Sequence, residues 1–159
     1  MKKLLLTLLI GGAALNAKAQ WFVAGDGGLS YVDEVFSMTL RPYVGYEINE
    51  QFAVGFGAGV SVFDDETCAV INHYVRYTIW NNDQLAIDVK ALSQITTHDG
   101  YSINQLGVAP SVRFKINDQW QVAADCGFFG ACCADGDWTP AFAAKNVNVN
   151  ATVIYRFSK

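Results

Sequence analysis

Charge is the scarcest ingredient of this chain of 159 residues: Asp, Glu, Lys and Arg together make up 16%, against about 25% in ordinary soluble domains. Positive charge is scarcer still. With Lys2, Lys3 and Lys18 set aside, eight basic residues face 15 acidic ones. The resulting net charge of about −7 argues against nucleic acid as a partner. After the first twenty residues no amphipathic helical pattern, low-complexity tract or linker-like stretch appears. EF-hand spacing and cofactor motifs are missing too, so no cofactor or structural metal is expected.

What is present begins with "MKKLLLTLLIGGAALNAKAQ". Two lysines, an apolar run from Leu4 to Leu15 and the small residues around Lys18 make a charged region, an apolar region and an A-x-A site. Met1 to Ala19 is therefore expected to be a signal peptide, with residues 20–159 as one domain. The apolar run is too short to span a bilayer. No Cys follows the cleavage site, which argues against a lipoprotein anchor.

The rest alternates. In "NVNVNATVIYRF" (Asn146 to Phe157), Val147, Val149, Ala151, Val153, Tyr155 and Phe157 interleave with polar or smaller residues, the period of a strand with two unlike faces. The same holds for Phe36 to Ile48, Phe52 to Val62, Ile71 to Ile79, Leu85 to Ile95, Leu106 to Ile116 and Trp120 to Phe128. With "QWFVAGDGGLSY" the strands number eight. "INEQF", "WNNDQL" and "INDQW" place Asn49, Asn82 and Asn117 at nearly equal spacing, predicting three tight hairpin turns.

The non-apolar face is largely Gly, Ala, Ser and Asn, where a water-facing sheet would carry Lys, Glu and Thr. Small residues suit a narrow lumen. Aromatics on the apolar face gather near the turns at Trp21, Phe52, Trp120, Tyr155 and Phe157, and near the other ends at Phe36, Phe63, Tyr101 and Phe128, the pattern of two membrane-interface girdles. Trp80 falls on the lumen parity, against the pattern. The fold class expected is all-β: an eight-stranded antiparallel up-and-down transmembrane β-barrel.

This pattern resembles the family of small eight-stranded outer-membrane barrels typified by OmpX and the OmpA transmembrane domain. Its C-terminal stretch resembles that family's assembly signal, with an aromatic at Phe157 followed by Ser158 and Lys159. The resemblance implies a Gram-negative outer-membrane location and insertion by the barrel-assembly machinery. It further implies lipid and lipopolysaccharide as surroundings, a monomer, both termini in the periplasm, and surface loops that carry any binding. Those loops would be Val32 to Val35, Asp64 to Ala69, Thr97 to Ser102 and Cys132 to Asn146. Two function classes follow: an integral barrel with a structural or surface-interaction role, or a secreted soluble lipocalin-like barrel carrying an apolar ligand.

The lumen holds the principal candidate site. Pairing Ile79 with Leu85 in "WNNDQL" places Arg76 opposite Asp88, an expected ion pair. Arg41, Lys90, Arg113, Lys115 and Arg156 join Asp26, Glu47 and Asp125 on the inner face, giving six cations and four anions. Paired, they are expected to close the lumen; unpaired, they would line a narrow passive pore favouring anions. Asp64, Asp65, Glu66, Asp99, Asp135 and Asp137, with Asp33 and Glu34, crowd the loop rim and could take a divalent cation through oxygen ligands; solubility of the loops is the stronger account, because no EF-hand-like spacing appears. Cys68, Cys132 and Cys133 fall near that rim and Cys126 mid-strand facing lipid. An exported chain permits disulfides, but nothing in the sequence chooses among three pairings. His98, Asp99 and Ser102 share one loop and His73 lies on the lipid parity; neighbouring loop residues seldom form a triad, and no catalysis is expected.

Overall fold

A computed structural model describes residues 19–32, 35–63, 66–98, 101–134, 137–142 and 147–157. Residues 1–18 of the predicted leader and the acids Asp33, Glu34, Asp64, Asp65, Asp99 and Asp135 lie outside the described residues. All described secondary structure is extended: β1 (Gln20–Val32), β2 (Val35–Glu47), β3 (Phe52–Phe63), β4 (Glu66–Asn81), β5 (Leu85–His98), β6 (Tyr101–Lys115), β7 (Trp120–Asp125), β8 (Phe129–Ala134), β9 (Asp137–Phe142) and β10 (Val147–Arg156). Antiparallel pairing runs from β1 through β6 in chain order, then β6 to β7, β7 to β10 and β10 back to β1. The sheet is thereby closed, with no free edge around the ring. The ten segments form eight staves. β7 and β8 are two parts of one stave, since both pair with β6, and β8 and β9 form a hairpin at the loop end.

The three predicted turns share one construction. Asn49 Oδ1 accepts from the backbone N–H groups of Gln51 and Phe52 at 2.8 and 2.7 Å. Asn82 does the same for Gln84 and Leu85 at 2.9 and 2.6 Å, and Asn117 for Gln119 and Trp120 at 2.9 and 2.8 Å. The side-chain amide thus satisfies the two donors a four-residue turn leaves over. The carbonyls of Gln51, Gln84 and Gln119 then accept from Thr78, Lys115 and Arg156 of the next stave, each at 2.8 Å. Each turn therefore also fixes where its neighbour begins.

Burial alternates along every stave, but in the inverse sense to a soluble protein. Leu40, Phe56, Ile79, Leu106 and Phe114 are exposed, while Asp26, Arg41, Glu47, Arg76, Asp88 and Arg113 are buried. Outside, the turn end carries cross-strand aromatic pairs: Trp21 with Tyr46 at 5.1 Å between ring centroids, Phe52 with Tyr77 at 4.9 Å and Trp120 with Tyr155 at 4.9 Å. Such pairs stabilise neighbouring strands as well as marking a polar–apolar boundary.

Four expectations need correction. Trp80 is outside, not in the lumen. A register shift between Thr78 and Trp80 inserts one residue at Ile79, so that Trp80 pairs with outward Ile87. Phe128 turns inward and Phe129 outward, because the break at residues 126–128, with Gly127 at a φ of 116°, inverts the alternation between β7 and β8. That backbone angle favours glycine. Phe63 also lines the interior; among the described residues Phe36, Phe129 and Trp138 are exposed aromatics toward the loop end, while the side chain of the expected Tyr101 lies outside those described. Finally, the expected loop from Cys132 to Asn146 contains the strand β9, since pairing continues past the barrel wall.

Candidate functional site

The barrel interior is the site, and glycine makes it spacious enough for aromatic rings. A Cβ at Gly45 would strike the Phe22 ring, one at Gly55 the Tyr74 ring, and one at Gly57 the Tyr43 ring. These three aromatics, absent from the sequence-based candidates, fill the lumen beside the small inner face of β3. Their signal was available: the inward glycines of β2 and β3 are the sockets. Phe22 is fully buried, its ring 5.9 Å from the Arg76 guanidinium carbon. Lys90 Nζ lies 5.6 Å from the centre of Tyr74, so these cations also meet π faces.

The predicted charges meet, though with different partners. Asp26 and Arg41 are register partners on β1 and β2 and pair at 2.7 Å. Arg76 lies opposite Lys90, not Asp88. The turn closes on Asn82 and Leu85, later than the assumed Ile79 and Leu85, and the bulge at Ile79 shifts the ladder again. Two cations therefore sit side by side, and each reaches past its neighbouring stave for an anion. Arg76 crosses the small residues of β3 to Glu47 on β2 at 2.7 Å, and Lys90 passes β6 to Asp125 on β7 at 2.6 Å. Glu47 also pairs with Arg156 of β10. Asp88 belongs to Arg113, at 2.9 Å, and accepts a further hydrogen bond from Thr78 Oγ1 at 2.6 Å. Arg113 donates also to Gln121 Oε1 at 2.9 Å. Lys115 lines a space at the turn end.

Among the described residues, two cavities lie in the interior. The one toward the loop end has a volume of about 710 Å³, the one toward the turns about 500 Å³, and only Arg113 lines both. Phe22, Thr78 and Gln121, all buried, belong to the level between them and line neither.

The other candidates do not assemble. No disulfide joins Cys68, Cys126, Cys132 or Cys133 to another of them. Cys68 lies on β4 opposite Ser61 of β3, whereas Cys132 and Cys133 pair with Gln105 and Asn104 of β6. Three interstrand steps of about 4.8 Å separate these staves, beyond the Cα separation a disulfide tolerates. Among the described residues no three His, Cys, Asp or Glu side chains form a metal cluster; Glu66 and Asp137 are exposed at the starts of β4 and β9. His73 points outward between Phe56 and Ser93.

No family model matches the chain, and no curated protein does. Solved structures do. The N-terminal β-barrel domain of Pseudomonas aeruginosa OprF superposes with a TM-score of 0.60 at 12% identity, over 88% of this chain and 100% of that one. Neisserial surface protein A gives 0.56 at 10% identity, over 87% and 99%. A de novo designed transmembrane β-barrel gives 0.52 at 10% identity, over 87% and 95%. The likeness is one of fold: this chain has the closed eight-stranded antiparallel architecture of small outer-membrane barrels.

Proposed function

We propose that the protein is an integral barrel of the Gram-negative outer membrane with a structural or surface-interaction role, and that its lumen is closed to ions. The outward wall supports the location. Leu40, Ile79 and Leu106, each about 60% exposed, belong to an apolar band that water would penalise and lipid would not. A soluble lipocalin-like barrel would have to present that band to solvent. The cell-side arrangement follows the family resemblance, with tight turns and both termini periplasmic and the β8–β9 hairpin outside. Lipid and lipopolysaccharide are then the surroundings, the barrel-assembly machinery the route of entry, and a monomer the working form. The reading assigns no reaction to the chain.

One observation carries the closed lumen: Arg76, Glu47 and Arg156 form one linked group and Asp88, Arg113, Thr78 and Gln121 a second, both in the interior where Phe22 is also fully buried. Long cations engaged on both sides leave little room for a continuous water column. Membrane fractionation tests the location, with outer-membrane recovery and heat-modifiable migration in SDS gels as the expected result and soluble recovery as the refuting one. Planar-bilayer recording tests closure. Steady conductance steps with anion preference would replace the closed barrel with a narrow pore.

A further inference from the structure

The loop-end cavity is built differently from the charged level beneath it. Each charge in its lining is held in an ion pair: Arg41 with Asp26, Lys90 with Asp125, Arg113 with Asp88, and Arg76 with Glu47 of the level below. A charged ligand would therefore meet no free countercharge and would bear its desolvation uncompensated. Above these pairs runs a belt of neutral amides. Gln94 Oε1 accepts from Arg41 Nη1 across the lumen and from Asn72 Nδ2 at 3.4 Å, while Gln94 Nε2 donates to Gln105 Oε1 at 3.2 Å. Thr39 and Ser61 hydroxyls meet at 2.7 Å on the facing wall. Above the belt, the wall carries the apolar Phe63 and Ile103, and below it the Phe128 ring packs against Gly107 and Gly130.

The belt is not internally satisfied. Asn72 is only 4% exposed, yet its Oδ1 has no partner in the protein, and Asp26 Oδ1 and Arg41 Nε share that condition. All three residues line the cavity. A buried polar atom without a partner costs free energy that a ligand hydroxyl could recover. The volume of about 710 Å³ falls within the range of small-molecule pockets.

We infer that this cavity is a cup for a small uncharged saccharide, whose hydroxyls replace the missing partners of Asn72 and Asp26 and whose C–H faces pack on Phe63 and Phe128. Amides and hydroxyls that both donate and accept suit a polyol, and the spent charges select against acidic or amino sugars. The inference deepens the surface-interaction role proposed above, since a cup with a floor retains a ligand that a channel would pass.

The test uses the full-length protein in a zwitterionic detergent without a sugar headgroup. Side-chain amide resonances of Asn72, Gln94 and Gln105 are followed while sucrose, glucose, glucuronate or glucosamine is added. Saturable shifts with the neutral sugars are expected. Asn72→Leu should weaken binding about tenfold, the equivalent of one lost hydrogen bond near 1.4 kcal/mol. Gln105→Leu, at a half-buried position, serves as the second variant, and heat-modifiable migration verifies that both fold. Amide resonances that stay fixed with every neutral sugar would overturn the cup. Equal binding of glucuronate would overturn the neutral specificity, and unchanged affinity in both variants would overturn the site. Failure of the closed lumen is distinguishable: conductance together with saturable amide shifts removes the floor and keeps the ligand, whereas neither conductance nor shifts removes the ligand alone.

Discussion

Asp88 is the most informative residue to remove. It is fully buried and accepts from Arg113 Nε at 2.9 Å, Arg113 Nη2 at 3.2 Å and Thr78 Oγ1 at 2.6 Å. Asp88→Ala deletes the carboxylate that Arg113 contacts among the described residues, leaving a buried guanidinium with the neutral Gln121 and Thr78. Stranding one partner of a buried pair costs about 3 to 5 kcal/mol, whereas replacing both with apolar groups is often neutral. Three variants therefore rank themselves. Asp88→Ala should be the least stable. Asp88→Asn keeps the shape and loses charge-assisted bonding, at about 2 kcal/mol. The double variant Asp88→Ala/Arg113→Met should recover most of the loss. Urea unfolding in lipid vesicles can be read through tryptophan fluorescence, because Trp21, Trp80, Trp120 and Trp138 are all exposed on the outer surface. A cost for Asp88→Ala below about 1 kcal/mol, the scale of a solvated ion pair, would mean that water already reaches Arg113. A double variant no better than the single one would mean that the charge is not what stabilises this level. Either result would refute the reasoning and weaken the closed lumen with it.

Three further outcomes follow from the wall and the turns. Gly45→Val should collide with the Phe22 ring and cost about 1 to 3 kcal/mol. Gly25→Val, where an added Cβ meets nothing within 4 Å, should be tolerated; equal losses at the two positions would reject the socket assignment. Val108→Arg, on the lipid-facing wall, should cost about 2 to 4 kcal/mol in vesicles, while Val108→Leu assembles normally and Ser111→Arg fails by crowding. Equal assembly defects in the two Val108 variants would reject the assigned face. Asn82→Ala should lose two backbone contacts, worth about 1 kcal/mol each, and Asn82→Asp should retain them. Indistinguishable unfolding midpoints for Ala and Asp would show that the side-chain oxygen does not hold the turn.

Alternation and turn chemistry are local, and both were legible. A period of two assigns a face without knowledge of the partner strand, so the inward placement of Arg41, Glu47, Asp88 and Arg113 could be read from parity. Asn49, Asn82 and Asn117 act on backbone groups two and three residues away, so their roles needed no tertiary information. Register is not local. One extra residue at Ile79 moved Trp80 outside, and with the position of the turn it exchanged Asp88 for Lys90 opposite Arg76; nothing in "YTIWNNDQL" announces the bulge. Gly127 was a visible signal, an isolated glycine in a strand pattern, and reading it as a break would have turned Phe128 inward.

The same irregularities give the interior its two levels. With Lys90 rather than Asp88 beside it, Arg76 cannot be satisfied by its neighbour on β5 and must reach over β3 to Glu47. That reach is open because β3 presents Ala53 and Gly55 inward, and it joins β4 to β2 and, through Arg156, to β10. A perfect ladder with Arg76 against Asp88 would have kept each charge at the wall and left the centre open. At the other end, the break at Gly127 brings Phe128 into the cavity, where its ring packs against Gly107 and Gly130. Two departures from regular pairing thus separate a crossed, charge-bound level from a cup whose charges are paired, and an unbroken alternation would have produced neither.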